Sequence, residues 1–448
     1  MGAGALQRSA ILAVSAAVFS VAVARLISDS TLELYEVAWQ PEPTKIYIGS
    51  PSLLRLNNGD IMMSCDRFGK GFKTERNTSV FLSNDNGVGW RRIHWVKDQY
   101  WSNLFRLDET SQELYLLGTS TDGPAPIKIS RSHDNGMTWP DTTVLFGEIS
   151  GNESYQTGPT PSLIFGNRVY RAVERMRPPY EWPTDFEAVV MSASVYSDLV
   201  DPESWTKSAP LPFNESWIPD SWDPKPEMPG YLEGNAVAGP DGIVYNLLRL
   251  NSKPYIGNYA VLLKYDQVEN VLLFDSIVSM PGGHSKFVVR FDPATRLYLT
   301  LSNPNTDANY TDQRNILSLC SSPDLRNWTE HTVVLHDDTG FNMDDSVRYT
   351  GFHYVDWQID GDNLILAVRT AYRGANSYHN ANRISFKKIE DFRSLLSSRV
   401  VRRPGCNKDA DDFDRNFDNY FLDDWFSRTP STFRNESRSD DCAEENFL

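Results

Sequence analysis

From about residue 45 to 390 the chain repeats one pattern: a short apolar or alternating run, then a cluster of Gly, Asn, Asp or Pro. Residues 52–56 run into NNGD, 242–250 follow GPDG, 287–291 precede DPAT, 363–369 follow DGD, and 114–118 form another such run. Runs of this length bounded by turn residues predict strands joined by tight turns. No long segment carries the 3.6-residue period of an amphipathic helix, so the pattern predicts an all-β protein.

A second regularity lies on top of the first. Residues 83–90 read SNDNGVGW and residues 132–139 read SHDNGMTW, 49 positions apart and sharing S-x-D-N-G-x-x-W. Residues 321–328, SSPDLRNW, form a degenerate third copy. The motif is a turn. Its Asp carboxylate accepts backbone N–H groups of its own loop, its Gly takes a positive φ, and its Trp anchors the turn from beneath. These residues specify architecture rather than catalysis. A Trp-anchored turn recurring about every 50 residues predicts four-stranded blades around an axis. About 350 residues at roughly 50–60 per blade predict a six-bladed β-propeller, with a fivefold or sevenfold propeller or a β-sandwich as the alternatives.

Composition narrows the function. The 448 residues include 12 Trp, 20 Tyr and 22 Phe, enough to bury a large core. A net charge of −16 argues against a nucleic-acid partner, because gripping phosphates takes a basic face.

The ends differ from the middle. Residues 10–24 form an apolar run after Arg8, short for a bilayer span, and its Ala22 and Ala24 fit a cleavage site before Arg25. Residues 1–24 are therefore read as a secretory signal peptide, with an uncleaved membrane anchor through residues 10–24 as the alternative. Six N-x-S/T sequons, at Asn77, Asn152, Asn214, Asn309, Asn327 and Asn435, agree with a glycosylated protein that is secreted or lumenal. The four cysteines permit a Cys406–Cys442 bridge and a Cys65–Cys320 bridge, or none. The propeller is expected over residues 40–395. Residues 396–448 form an acidic C-terminal extension, with 12 acidic and 7 basic residues from Val401 onward.

The repeated turn and several longer stretches resemble the sialidase superfamily, whose blades carry such turns as Asp boxes. The matching stretches are YIGSPS (47–52), YWSNLF (100–105), YLEGNAV (231–237), GGHSKFVVRFDP (282–293), SSPDLRNW (321–328), GFHYVDWQIDGDNLILAVRTAY (351–372) and HNAN (379–382). They are closest to a sialidase-like subgroup with an incomplete arginine triad. The resemblance implies an exo-sialidase-type glycoside hydrolase that cuts terminal acidic sugars from glycans, with no cofactor and no metal.

Site residues follow from it one at a time. Glu233 and Arg249 stand 16 positions apart across a hairpin, as a family Glu and Arg do. Glu233 would activate a tyrosine nucleophile, and Arg249 would bind a substrate acid group. Ser302-Asn303-Pro304 followed by Arg314-Asn315 resembles the segment of another clamp arginine, Arg314. Tyr354 matches the nucleophile; a phenol with a reference pKa near about 10 needs a base and cations to attack carbon. His284, Lys286 and His379 are further candidates for holding substrate, and His353 and Asp356 lie in the same stretches.

Two departures stand out. Gly49 occupies the place of the family's first arginine, so a third of the clamp is missing unless Arg55, Lys45 or Arg67 reaches in. No clean match exists for the family's acid/base Asp; Glu75 is the nearest carboxylate and Asp66 the other candidate. The departures leave two alternatives: a catalytically inactive glycan-binding propeller, or an acidic-polysaccharide lyase in which a positioned base abstracts a proton.

Overall fold

A computed structural model describes residues 31–72, 76–149, 153–255 and 257–400, together with the backbone of the two-residue strand Val23–Ala24. The apolar run of residues 10–24 (save that backbone), Glu75, Cys406, Cys442 and the acidic tail beyond residue 400 lie outside the described residues. No helix among those described is long and apolar enough to cross a membrane.

Six antiparallel sheets form the blades of a propeller. Blade 1 comprises Tyr47–Arg55, Ile61–Phe68, Asn77–Ser83 and Gly89–Lys97 from inside outward. Blade 2 comprises Tyr100–Phe105, Leu114–Thr119, Ile127–Ser132 and Asp141–Phe146. Blade 3 is irregular: Ser154–Gln156 and Leu163–Phe165 both pair with Arg168–Met176, followed by Phe186–Ser194 and Trp205–Lys207. Blade 4 comprises Gly230–Ala238, Val244–Asn251, Tyr259–Asp266 and Val271–Ser279. Blade 5 comprises Val289–Asp292, Leu297–Ser302, Ile316–Ser322 and Thr329–His336. Blade 6 takes Gly351–Asp360, Asn363–Ala371 and Arg383–Ile389 from one end of the described chain and its outer strand, Tyr35–Trp39, from the other. That pairing closes the ring and covers an edge that would otherwise be unpaired.

The core is divided between blade interfaces. Leu54, Met62, Leu104 and Leu116 pack between blades 1 and 2, and Leu299, Leu319, Phe352 and Leu366 between blades 5 and 6. Each fully buried Leu or Phe contributes about 1.5–3 kcal/mol. The axis is polar instead. Asp356 Oδ2 accepts from Ser52 Oγ (2.9 Å) and Leu53 N (2.8 Å), joining blade 6 to blade 1. Ser52 Oγ accepts from Leu104 N (3.0 Å), and Asn103 Oδ1 from Ser162 N (2.9 Å), continuing to blades 2 and 3. Thr160 Oγ1 donates to Gly234 O (2.7 Å), and Asn235 Oδ1 accepts from Val289 N (3.1 Å). Lys286 Nζ donates to Val355 O (3.0 Å) and returns the ring to blade 6. These bonds satisfy backbone groups that the short inner strands leave without sheet partners.

The S-x-D-N-G-x-x-W turns join third to outer strands. Asp85 Oδ1 accepts from Gly89 N (2.8 Å), and Trp90 Nε1 donates to Gly87 O (2.8 Å). Asp134, Thr138, Trp139 and Gly136 repeat those contacts. In the degenerate copy Ser322, not Ser321, bonds the Asp, and Leu325 takes the positive φ of 67°. Trp205 Nε1 donates to Leu199 O in blade 3, a related turn without the motif. The cysteine expectation is corrected here. Cys65 is in blade 1 and Cys320 in blade 5, both buried, and the Cys65–Cys320 bridge is not formed.

Candidate active site

Four inner strands carry a bulge near their starts, at Gly49/Ser52, Tyr100/Asn103, Leu232/Asn235 and His353/Asp356. The residue inside each bulge has a positive φ: Ser50 (56°), Trp101 (44°), Glu233 (56°) and Tyr354 (52°). A non-Gly residue held there costs about 1–3 kcal/mol, and the bulge re-aims its side chain. Two residues onward come Ser52, Asn103, Asn235 and Asp356, all members of the polar ring. The bonds that close the propeller therefore hold the bulges.

Glu233 and Tyr354, on blades 4 and 6, meet across the axis. Tyr354 Oη donates to Glu233 Oε1 at 2.5 Å, and Arg249 Nη1 donates to Glu233 Oε2 at 3.0 Å. Arg249 is fixed further by its Nε bond to His284 O (2.7 Å). Burial and the negative charge of Glu233 push the Tyr354 phenol far above its usual value, so it rests protonated. Burial works against the charge of Arg249, but Glu233 and Tyr354 outweigh it, and the guanidinium holds its proton more tightly than usual. Glu174 lies below, its Oε1 accepting from Gly234 N (3.0 Å). Burial, aided by the charge of Glu233 and opposed by backbone bonds, pushes Glu174 up to about 7.

Arg314, 3% exposed, donates to Gln313 O (2.8 Å) and stands 3.8 Å from Asp312. Burial, then the like charge of Arg249, lowers its proton affinity. A third guanidinium, Arg369, was not anticipated from sequence. It lies 4.9 Å from the Tyr354 ring centroid and 4.5 Å from that of Phe68, and it donates through Nη2 to His379 O (2.5 Å). Its Nε is buried without a partner. A Cβ on Gly49 would come within 3.0 Å of Arg369 Nη1 and 3.1 Å of Cζ. Arg55, Lys45 and Arg67 do not take that place; Arg55 instead pairs with Asp360.

A signal for Arg369 existed in the register. Arg249 pairs across the sheet with Leu232, and Arg369 with His353, each the residue just before a bulged one. Blades 4 and 6 thus use the same local design, which becomes legible only once the blades are aligned.

Two expected substrate ligands sit inside the protein instead. The His284 ring bonds Gly257 O (2.5 Å), and burial pushes its pKa well below the usual value. The Lys286 ammonium is spent on Val355 O, and burial brings it down to about 8. Both support the site from beneath. His353 is buried, with Nε2 on Tyr378 O (3.0 Å). His379 does stand at the rim, exposed, its ring 5.6 Å from Phe68. Desolvation and the charge of Arg369 hold its pKa down to about 4, so the ring is neutral at neutral pH. Asp66 is 1% exposed and accepts from Thr78 Oγ1 (2.7 Å) and Trp101 N (2.8 Å). Burial drives it up to about 8 against those bonds; its work is to pin the Trp101 bulge. Glu75 lies outside the described residues. Trp182, 41% exposed with Arg249 Cζ 5.5 Å from its ring, is a rim residue that sequence patterns did not mark.

Solved structures show where this architecture occurs. An α-L-arabinofuranosidase of Fusarium graminearum, in complex with an iminosugar inhibitor, superposes with a TM-score of 0.54 at 10% identity, over 82% of this chain and 99% of that one. The chain has the six-bladed β-propeller fold. A NanB sialidase from Streptococcus pneumoniae superposes with a TM-score of 0.50 at 12% identity, over 79% of this chain and 70% of that one. A Dyadobacter fermentans protein of unknown function gives 0.51 at 14% identity, over 79% and 97%. At these identities the likeness is one of fold. No family model matches the chain, and no curated protein does.

Proposed function

We propose that the protein is a glycoside hydrolase that removes a terminal acidic sugar, with Tyr354 as nucleophile and Glu233 as its base. The observation that carries this reading is the 2.5 Å Tyr354–Glu233 bond enclosed by three arginines, Arg249, Arg314 and Arg369. Tyr354 Oη attacks the anomeric carbon as its proton passes to Glu233, and the aglycone leaves through its oxygen, which takes a proton from solvent. Water then hydrolyses the aryl-glycosidic bond between Tyr354 Oη and the sugar: its hydroxyl goes to the anomeric carbon and its proton to solvent, while Glu233 returns the proton to Oη. A tyrosine suits an anionic substrate, because a neutral phenol is not repelled by a carboxylate as an Asp or Glu nucleophile would be. The arginines supply the carboxylate site through charge-assisted bonds. The neutral aromatic surfaces of Trp101 and Trp182 suit the faces of sugar rings.

The test is turnover of fluorogenic aryl glycosides of acidic sugars, an α-sialoside first, by the protein and by Tyr354→Phe. An aryl leaving group departs without a strong acid, so the result does not hinge on the proton donor. Tyr354→Phe is expected to lower kcat by about 100-fold or more while the unfolding midpoint holds. Equal rates would remove the assignment. Saturable glycan binding without any product would favour a binding propeller instead.

A further inference from the structure

A hollow of about 180 Å³ lies between blades 6 and 1, on the blade edge that also carries Tyr354, and none of the chemistry above uses it. Arg67, at the end of the second strand of blade 1, and Arg92, on its outer strand, line it together with Trp39, Gln40 and Ser79. Arg67 immediately precedes Phe68, whose ring lies against Arg369, so the hollow adjoins the proposed clamp along the chain.

Arg131, Arg175, Arg290, Arg326 and Arg393 each hold a carboxylate. Among the described residues no carboxylate pairs with Arg67 or Arg92, although the chain carries a net charge of −16. The two guanidiniums instead lie near one indole: Arg92 Cζ is 3.9 Å and Arg67 Cζ 6.0 Å from the ring centroid of Trp95. Burial and the charge of Arg67 both work against the charge of Arg92. Trp95 is held by its Nε1 bond to Ser79 Oγ (3.1 Å) and remains 48% exposed; Trp39 is 43% exposed. Indole surfaces offer faces for sugar C–H groups, and a guanidinium pair lacking an anion offers paired donors for one.

We propose that this hollow is a second saccharide subsite, which binds the carboxylate or sulfate group of a further sugar in an acidic glycan. The identity of the ligand as a glycan rests on the reading of the Tyr354 site; the anion binding itself does not. The expected substrate is therefore an oligosaccharide with a second negative charge, rather than a single acidic sugar on a neutral carrier.

Titration calorimetry on the full chain carrying Tyr354→Phe, which blocks turnover, tests this. The probes are a tetrasaccharide of alternating uronate and N-acetylhexosamine, its sulfate-bearing counterpart, and a neutral tetrasaccharide. Adding Arg67→Gln with Arg92→Gln is expected to weaken an acidic probe about tenfold or more and to leave the neutral one unchanged. The probe that loses more tells carboxylate from sulfate. Arg67→Lys, a gentler change, is expected to give an intermediate loss, because it keeps the charge and loses the fork. Equal affinity with and without the arginines, an equal loss for the neutral probe, or no binding of either acidic probe overturns the proposal. Turnover of a single-sugar aryl glycoside by the arginine variants with Tyr354 intact is expected to be unchanged. Absent turnover in the unaltered protein would count against the glycosidase reading and leave the binding result standing.

Discussion

The guanidinium of Arg369 lies against Gly49, with Nη1 3.0 Å from where a Cβ would begin. The residue whose identity broke the expected arginine clamp is the one that makes room for another arginine. That contact gives the glycine a steric reason and gives the site its third cation.

The pair yields a reciprocal prediction. Arg369→Ala is expected to lower kcat/KM for an acidic aryl glycoside by about 10–100-fold, the loss of a charge-assisted bond. Gly49→Ala is expected to lower it by a smaller factor, by displacing the guanidinium. Gly49→Arg combined with Arg369→Ala is expected to recover part of the loss. A double variant no better than Arg369→Ala alone would show that the two positions are not interchangeable sources of the same charge.

Glu233→Gln separates base from scaffold. The amide keeps an acceptor near Tyr354 but cannot take its proton, and it leaves buried Arg249 without a counter-charge. We expect kcat to fall by about 100- to 10,000-fold. A urea midpoint lowered as well, read by intrinsic fluorescence, would report the uncompensated charge.

Glu174 imposes a pH dependence on stability. Its folded pKa, about 7, lies above the ordinary carboxylate value of 4.5, so the native state binds the extra proton between the two. Stability from this group is therefore highest below pH 4.5 and falls as pH rises toward 7, by up to about 1.4 kcal/mol per unit. Glu174→Gln is expected to flatten that part of the profile. Urea midpoints across the range check it, and an unchanged slope would place the dependence on other groups.

The Asp-anchored turns supply a control. Asp85 and Asp134 sit where third strands end, on the blade edge opposite Tyr354. Asp85→Ala is expected to cost about 1–2 kcal/mol of stability through lost turn bonds, with kcat unchanged. A fall in kcat at constant stability would mean that the two edges communicate.

Much of the fold was legible because its signals are local. A turn needs its Asp, Gly and Trp within eight positions, and Asp85–Trp90 and Asp134–Trp139 form the bonds that reading required. Local reading weakened where geometry departed from the motif. Trp205 anchors a related turn without the Asn-Gly pair, and Ser322 replaced Ser321 in the degenerate copy. Glu233, Arg249, Arg314 and Tyr354 were marked by hairpin spacing and resemblance, and the structure brings all four together. His284 and Lys286 carry the same kinds of polar atoms as rim ligands, and nothing in their neighbours tells a buried support from an exposed one.

The sequence by itself determined the strand-and-turn rhythm and an approximate blade count, because periodicity and turn chemistry act over a few residues, while Glu233 and Tyr354 were marked only through the family resemblance. Tertiary structure alone decided which side chains share a space. It placed Arg369 over Gly49, sank Lys286 into the axis, spent Asp66 on the Trp101 bulge and lined one hollow with Arg67 and Arg92. Those relations span up to 320 positions of chain, between Gly49 and Arg369. They exist only because closing the ring carries the last blade back to the first.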